Sequence, residues 1–174
     1  VSRRVLEAMF EQPPDLLIVQ THSAEVVRQQ AILRRLQALC QLRVHLSIET
    51  DRERLPGLPP PASPIRARFA AAEELRRHGL EVVITVSPLL PIADPPAFFA
   101  RIAGCASAVV LDHYIGGDGT PDGRRTLATP LPAAMAALEP DSVQLAYRDR
   151  MVEVAARFLP GRVGVHVDGF AGRY

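Results

Sequence analysis

Polar and apolar side chains alternate along Val44-His45-Leu46-Ser47-Ile48-Glu49. In an extended segment His45, Ser47 and Glu49 then share one face, and Val44, Leu46 and Ile48 the other. A hydroxyl and a carboxylate on one strand face suit the binding of a polar ligand. The same alternation puts Gln20 and His22 on a first run, Thr85 and Ser87 on a third, Asp112 on a fourth, and His166 and Asp168 on a last. A strand covered on both sides reads as a near-continuous apolar run. Polar groups in register on several strands therefore predict a wet lumen or ligand cavity, with Glu49 nearest its C-terminal end.

Other reactive side chains fit less specific patterns. His22, His113 and His166 stand at strand ends, where metal coordination is one reading. No HxH, HExxH or CxxC spacing accompanies them. His45, low on its strand, is expected to be a hydrogen-bonded core histidine, and His78 a partner of a helix dipole. Ser23 and Asp94 read as helix caps, while Asp112 and Asp168 suit a cap or a ligand contact equally. Cys40 and Cys105 have apolar neighbours and no adjacent base, so they read as small buried residues. The segment from Gly116 to Arg125 is glycine-rich and expected to be the most flexible. Its Arg124 and Arg125 could meet an anion, but it lacks the Gly-Lys-Ser/Thr ending of a phosphate-binding loop.

Five β-like runs must hold these groups: Asp15–Gln20, Arg43–Glu49, Glu81–Ser87, Ala108–His113 and Arg162–Asp168. Helical spacing separates them. Val26, Val27, Leu33, Leu36 and Leu39 form one stripe behind Ser23. A second helix is expected from Ser63-Pro64, with a serine cap, to Arg76-Arg77-His78-Gly79. Others should start at Asp94-Pro95 and Thr129-Pro130, and a last stripe runs through Met151, Val154, Ala155 and Phe158. Strand and helix in alternation predict an α/β fold with a mostly parallel sheet, either open and doubly wound or barrel-like. Residues 2–11 look helical through Val5, Leu6, Met9 and Phe10, with no strand before them. A complete eight-unit barrel takes about 250 residues. The pattern thus reads as a partial (βα) TIM-type barrel, one domain over residues 1–174, whose first units are expected upstream.

The 174 residues are 48% hydrophobic and 22% charged, with a formal net charge of +1. That composition fits a folded domain that needs no disulfide scaffold, and it gives no global reason to bind nucleic acid or an anionic membrane. No run approaches the ~20 apolar residues of a membrane helix. No secretory signal pattern is visible, and a cytoplasmic location is expected. All 20 basic residues are arginine, a trace of GC-rich coding.

Three segments together, Leu17-Ile18-Val19-Gln20-Thr21-His22-Ser23, Ser47-Ile48-Glu49-Thr50-Asp51 and Ser87-Pro88-Leu89-Leu90-Pro91-Ile92-Ala93-Asp94, resemble the spore photoproduct lyase-like branch of the radical SAM proteins. The Pro60–Arg68 loop and the Leu75–Gly79 turn agree, and the ordered match covers roughly residues 3–115. The resemblance implies a partial barrel binding S-adenosylmethionine across the strand C-termini. A 4Fe–4S cluster would cleave it reductively to a 5′-deoxyadenosyl radical. Ser47 and Glu49 match positions that contact the ribose or amino-acid part of this cosubstrate. His22 stands where relatives often carry Lys or Arg near the methionyl carboxylate. Gln20 and Asp112, also polar strand positions, complete the expected cosubstrate-binding set.

One departure is large. The family holds its cluster in a CxxxCxxC loop, and this chain has only Cys40 and Cys105. The loop is expected upstream of Val1, or else the member is degenerate; the chain as given is not expected to run the radical reaction. A nucleic-acid partner follows only by analogy with a DNA-lesion repair relative. Two other readings stand beside this one. The first is a metal-dependent hydrolase barrel using His22, Glu49, Asp112, His113 and His166. The second is a non-catalytic half-barrel serving as a binding module.

Overall fold

The computed structural model describes residues 2–174, so Val1 lies outside the described residues. Each expected run becomes a strand with slightly shifted bounds: β1 (Leu16–Thr21), β2 (Gln41–Ser47), β3 (Glu81–Val86), β4 (Ala108–Leu111) and β5 (Val163–Val165). All four neighbouring pairs are parallel, and the strands lie side by side in chain order. The fold is therefore α/β around a five-stranded parallel sheet. Because the order never reverses, right-handed crossovers place the connecting helices on one face, unlike a doubly wound sheet.

The core shows that sidedness. Val44, Leu46, Ile48, Val82, Ile84, Val86, Val109 and Leu111 join one apolar cluster with residues of four helices. Those helices are α2 (Gln30–Gln37), α3 (Ile65–Arg77), α4 (Pro95–Cys105) and α8 (Leu145–Phe158). A leading helix, α1 (Ser2–Ala8), buries Leu6 in the same cluster but leaves Val5 50% exposed. Short helical segments α5 (Tyr114–Gly117), α6 (Arg124–Leu127) and α7 (Leu131–Leu138) connect β4 to α8. Among the described residues no helix is long and apolar enough to cross a membrane.

Local chemistry explains most boundaries. The Ser23 hydroxyl accepts from the Glu25 amide and caps a 3₁₀ segment, Ala24–Gln29, that runs into α2. Asp94 likewise accepts from the Ala97 amide at the start of α4. Two expectations fail here. Leu39 lies beyond the end of α2 and is 53% exposed, so the apolar stripe stops at Leu36. Ser63 does not cap α3, because its hydroxyl accepts from the Ala24 amide instead. The Glu53 carboxylate reaches across to take the first α3 amides, Ile65 at 3.0 Å and Arg66 at 3.3 Å.

The opposite face departs further from expectation. The last strand was expected over Arg162–Asp168 but ends at Val165, and His166 takes a left-handed φ of 53°. That reversal turns α9 (His166–Phe170) back over the sheet face opposite the long helices. Gly164 and Gly169 permit the contact, since a Cβ on Gly169 would lie 2.7 Å from the Gly164 carbonyl carbon. Phe170 then packs on Val83, Ala108 and Val110. The expected wet lumen is consequently dry at this level: His45 and Ser47 have no exposed surface. His45 is not the hydrogen-bonded core histidine expected, for among the described residues neither ring nitrogen has a partner, and the Phe170 ring lies 6.5 Å away. Asp168, expected among the strand-end polar groups, is instead exposed and pairs with Arg173.

The glycine-rich segment is internally bonded rather than open. Asp118 accepts from the amides of Thr120 and Thr126 and from the Thr120 hydroxyl. These bonds hold its carboxyl down at about 2. Arg125 is drawn back onto the Asp118 carbonyl.

Candidate functional site

The register of the sheet assembles the polar rows. Gln20 pairs with His45, and Ser47 with Thr85. One step further toward the strand C-termini lie Glu49, Asp112 and His166. With His22, their side chains form two separate carboxylate–imidazole pairs at the C-terminal ends of the strands.

The first pair is built on β1 and β2. His22 Nδ1 lies 2.8 Å from Glu49 Oε1. The other carboxylate oxygen, Oε2, accepts from Arg68 Nη1 at 2.7 Å, and the same Nη1 donates to the Ser47 carbonyl at 2.6 Å. Exposure falls steeply through this chain of groups, from 56% for the His22 side chain to 12% for Glu49 and 2% for Arg68. A buried carboxylate needs such a partner, since an unpaired one is strongly penalised. Both Glu49 oxygens are therefore engaged within the protein.

A cleft of about 280 Å³ opens over this network. Leu55, Leu58, Pro59, Pro61, Ile65 and Leu90 supply apolar walls, and Arg52, Arg54 and His22 add basic groups. Loop 52–62 forms one side, with Glu53 both lining the cleft and capping α3. Asp51 fastens the other side by accepting from the Ala93 and Asp94 amides, each at 2.8 Å.

The second pair is built on β4 and the start of α9. His166 Nδ1 lies 3.2 Å from Asp112 Oδ1. Burial pushes the Asp112 carboxyl above its ordinary range, and the bond to His166 partly offsets that. The loop after β3 touches both pairs. The Leu89 amide donates to the Asp112 carbonyl at 2.7 Å, and the Leu90 amide to the Glu49 carbonyl at 3.1 Å.

Not every expected site residue joins the cleft. Glu49 and His22 line it, while Ser47 lies wholly buried beneath, its hydroxyl 2.9 Å from that of Thr85. Gln20 is exposed near the edge of the sheet, beside a different depression shared with Val19, Ser23 and Gln29. Asp112 sits with His166 outside the cleft lining. The five-residue metal set is not brought together, and no group of three or more potential ligands forms among the described residues. His113 is spoken for: Nε2 meets the Ser142 carbonyl at 3.0 Å, and Nδ1 accepts from the Ile115 amide. Burial lowers its pKa.

Arg68 is the group that sequence reasoning overlooked. One signal pointed to it: it stands three residues after Ile65 and four before Ala72, on the buried side of α3. An arginine there requires an internal counter-charge, and Glu49 supplies it.

A search of protein-family models finds no match to this chain, and a search of curated proteins finds no significant match.

Proposed function

We propose that this chain is the cosubstrate-binding part of a radical SAM-type barrel, and that the cleft over His22, Glu49 and Arg68 takes S-adenosylmethionine. The observation that carries the reading is the position of a buried ion network under an apolar cleft at the C-terminal ends of parallel strands. Ligands of α/β sheets and barrels bind at that end. The strand order and one-sided helices agree with part of a barrel.

The residues present fit the cosubstrate. Leu55, Leu58 and Leu90 offer apolar contact for a purine ring, and Arg52 and Arg54 offer charge for a carboxylate. His22 is the exposed end of the network, so it touches the ligand directly. Glu49 holds His22 in place while Arg68 holds Glu49. This assigns Glu49 a positioning role in place of the direct diol contact that the resemblance implies.

The cluster does not fit these residues. Cys40 is bonded to the Leu36 carbonyl just before β2, and Cys105 is buried just before β4. Both stand at the N-terminal end of the sheet, away from the cleft. The contribution derived for this chain is binding and orientation.

Calorimetry with S-adenosylmethionine tests the reading. Wild-type protein should bind saturably, and His22→Ala, a change at an exposed side chain, should weaken binding about tenfold. Glu49→Gln should weaken it similarly, with thermal unfolding checking that the chain remains folded. Absence of saturable binding by the wild type, or unchanged affinity in both variants, overturns the proposal.

A further inference from the structure

The second carboxylate–imidazole pair has a different character from the first. Glu49 is neutralised by Arg68, whereas Asp112 faces His166 without a guanidinium bonded to it. We propose that Asp112 and His166 form a general acid–base dyad at the C-terminal ends of β4 and β5, separate from the cleft. This does not depend on what the cleft binds.

Three observations converge on the pair. The first is backbone conformation. His166 is the one non-glycine residue with positive φ among the described residues. Few residues other than glycine take that conformation, so the surrounding structure must hold the imidazole there. The second is orientation. Asp112 is 5% exposed and accepts from the Nδ1 side of the ring, which fixes the tautomer with its lone pair on Nε2. The imidazole itself is 47% exposed, and its bond to Asp112 is its one hydrogen bond among the described residues.

The third is the space cleared around the carboxylate. A Cβ on Gly117 would come within 2.4 Å of Asp112 Oδ2. Gly116 lies against the imidazole, where its Cβ would sit 3.6 Å from Cε1. Two consecutive glycines thus let the loop after β4 close over the pair without a side chain intruding. Arg148 and His113 are the other charged or titratable groups near Asp112. Arg148 acts at a distance, and His113 is turned away to Ser142.

Such a pair can take a proton from a water or hydroxyl at Nε2, leaving an imidazolium beside a carboxylate, and can return that proton to a leaving group or solvent. With an ester the balance is simple. Water adds to the carbonyl as Nε2 takes its proton, the alkoxide or phenoxide leaves, and the proton passes to solvent.

4-Nitrophenyl acetate is a probe that needs no knowledge of the natural substrate. Wild-type protein should hydrolyse it faster than free imidazole at equal concentration, and more slowly in D₂O. Asp112→Asn and His166→Asn should each lower the rate about tenfold or more. Asparagine suits the left-handed backbone, so His166→Asn should keep or raise the melting temperature while activity falls. A merely structural histidine gives the reverse, lower melting temperature with hydrolysis unchanged. That result, or a wild-type rate no greater than that of imidazole, overturns the proposal.

Discussion

His45 is enclosed among Phe170, Val83 and the neighbouring strands, and neither ring nitrogen has a partner among the described residues. Burial first, and the Arg43 charge second, push its pKa down from 6.5 to about 4. The unfolded chain therefore binds a proton more readily than the native one. Stability is complete above the unfolded value of 6.5 and is lost as pH falls toward about 4. At ~1.4 kcal/mol per unit, that interval amounts to about 3 kcal/mol. Urea unfolding at pH 7 and pH 5 checks it: wild type should lose stability between the two, and His45→Leu should lose much less. His113 is shifted in the same direction, so some pH dependence should survive in the variant. The face that His45 occupies was legible from the alternation through Glu49. Its isolation was not, because Phe170 closes over it from the far end of the chain. The cleft shows the same division. Glu49 and His22 were legible as strand-end polar groups, whereas Arg68 was one arginine among 20 on a helix.

Helix α3 illustrates how an element takes its boundary from outside its own segment. A Ser-Pro start predicts a local cap, yet Pro64 holds an extended ψ of 144° and Ser63 serves the Ala24 amide. The orphan amides of the first turn find the Glu53 carboxylate twelve and thirteen residues upstream. Glu53→Ala should lower stability by about 1 kcal/mol, the usual value of a lost cap, measurable as a shifted urea midpoint. Because loop 52–62 is fastened to α3 through this carboxylate, the S-adenosylmethionine affinity proposed for the cleft should fall in the same variant when measured by calorimetry. The existence of α3, α4 and α8 was legible from periodicity, since each buries an apolar face against the sheet. The Glu53 cap was not, because it joins residues separated by a loop whose path depends on the folded sheet.

The sheet has one face covered by long helices and one partly filled by the chain's own last turn. Gly164 and Gly169 set how closely that turn approaches. Gly169→Ala should destabilise by about 2 kcal/mol, because the added carbon meets the Gly164 backbone at 2.7 Å and Val110 at 2.8 Å. Gly104→Ala in α4, where a Cβ meets nothing within 4 Å, should instead add up to about 1 kcal/mol. Thermal unfolding of the two variants checks both signs. Five parallel strands were legible in the sequence, whereas their side-by-side order and the inward turn of α9 were not. The last apolar run gave no sign that its C-terminal half would leave the sheet, since His166 reverses the backbone in a region that few non-glycine residues enter. The two carboxylate–imidazole pairs look independent when traced along the chain. Mechanically they share a crossbeam: adjacent amides, Leu89 and Leu90, are tied to the carbonyls of Asp112 and Glu49. The backbone beneath the cleft and the backbone beneath the dyad are thus linked through two consecutive peptide groups that meet at Leu89, so a shift of either carbonyl is felt one residue away from the other.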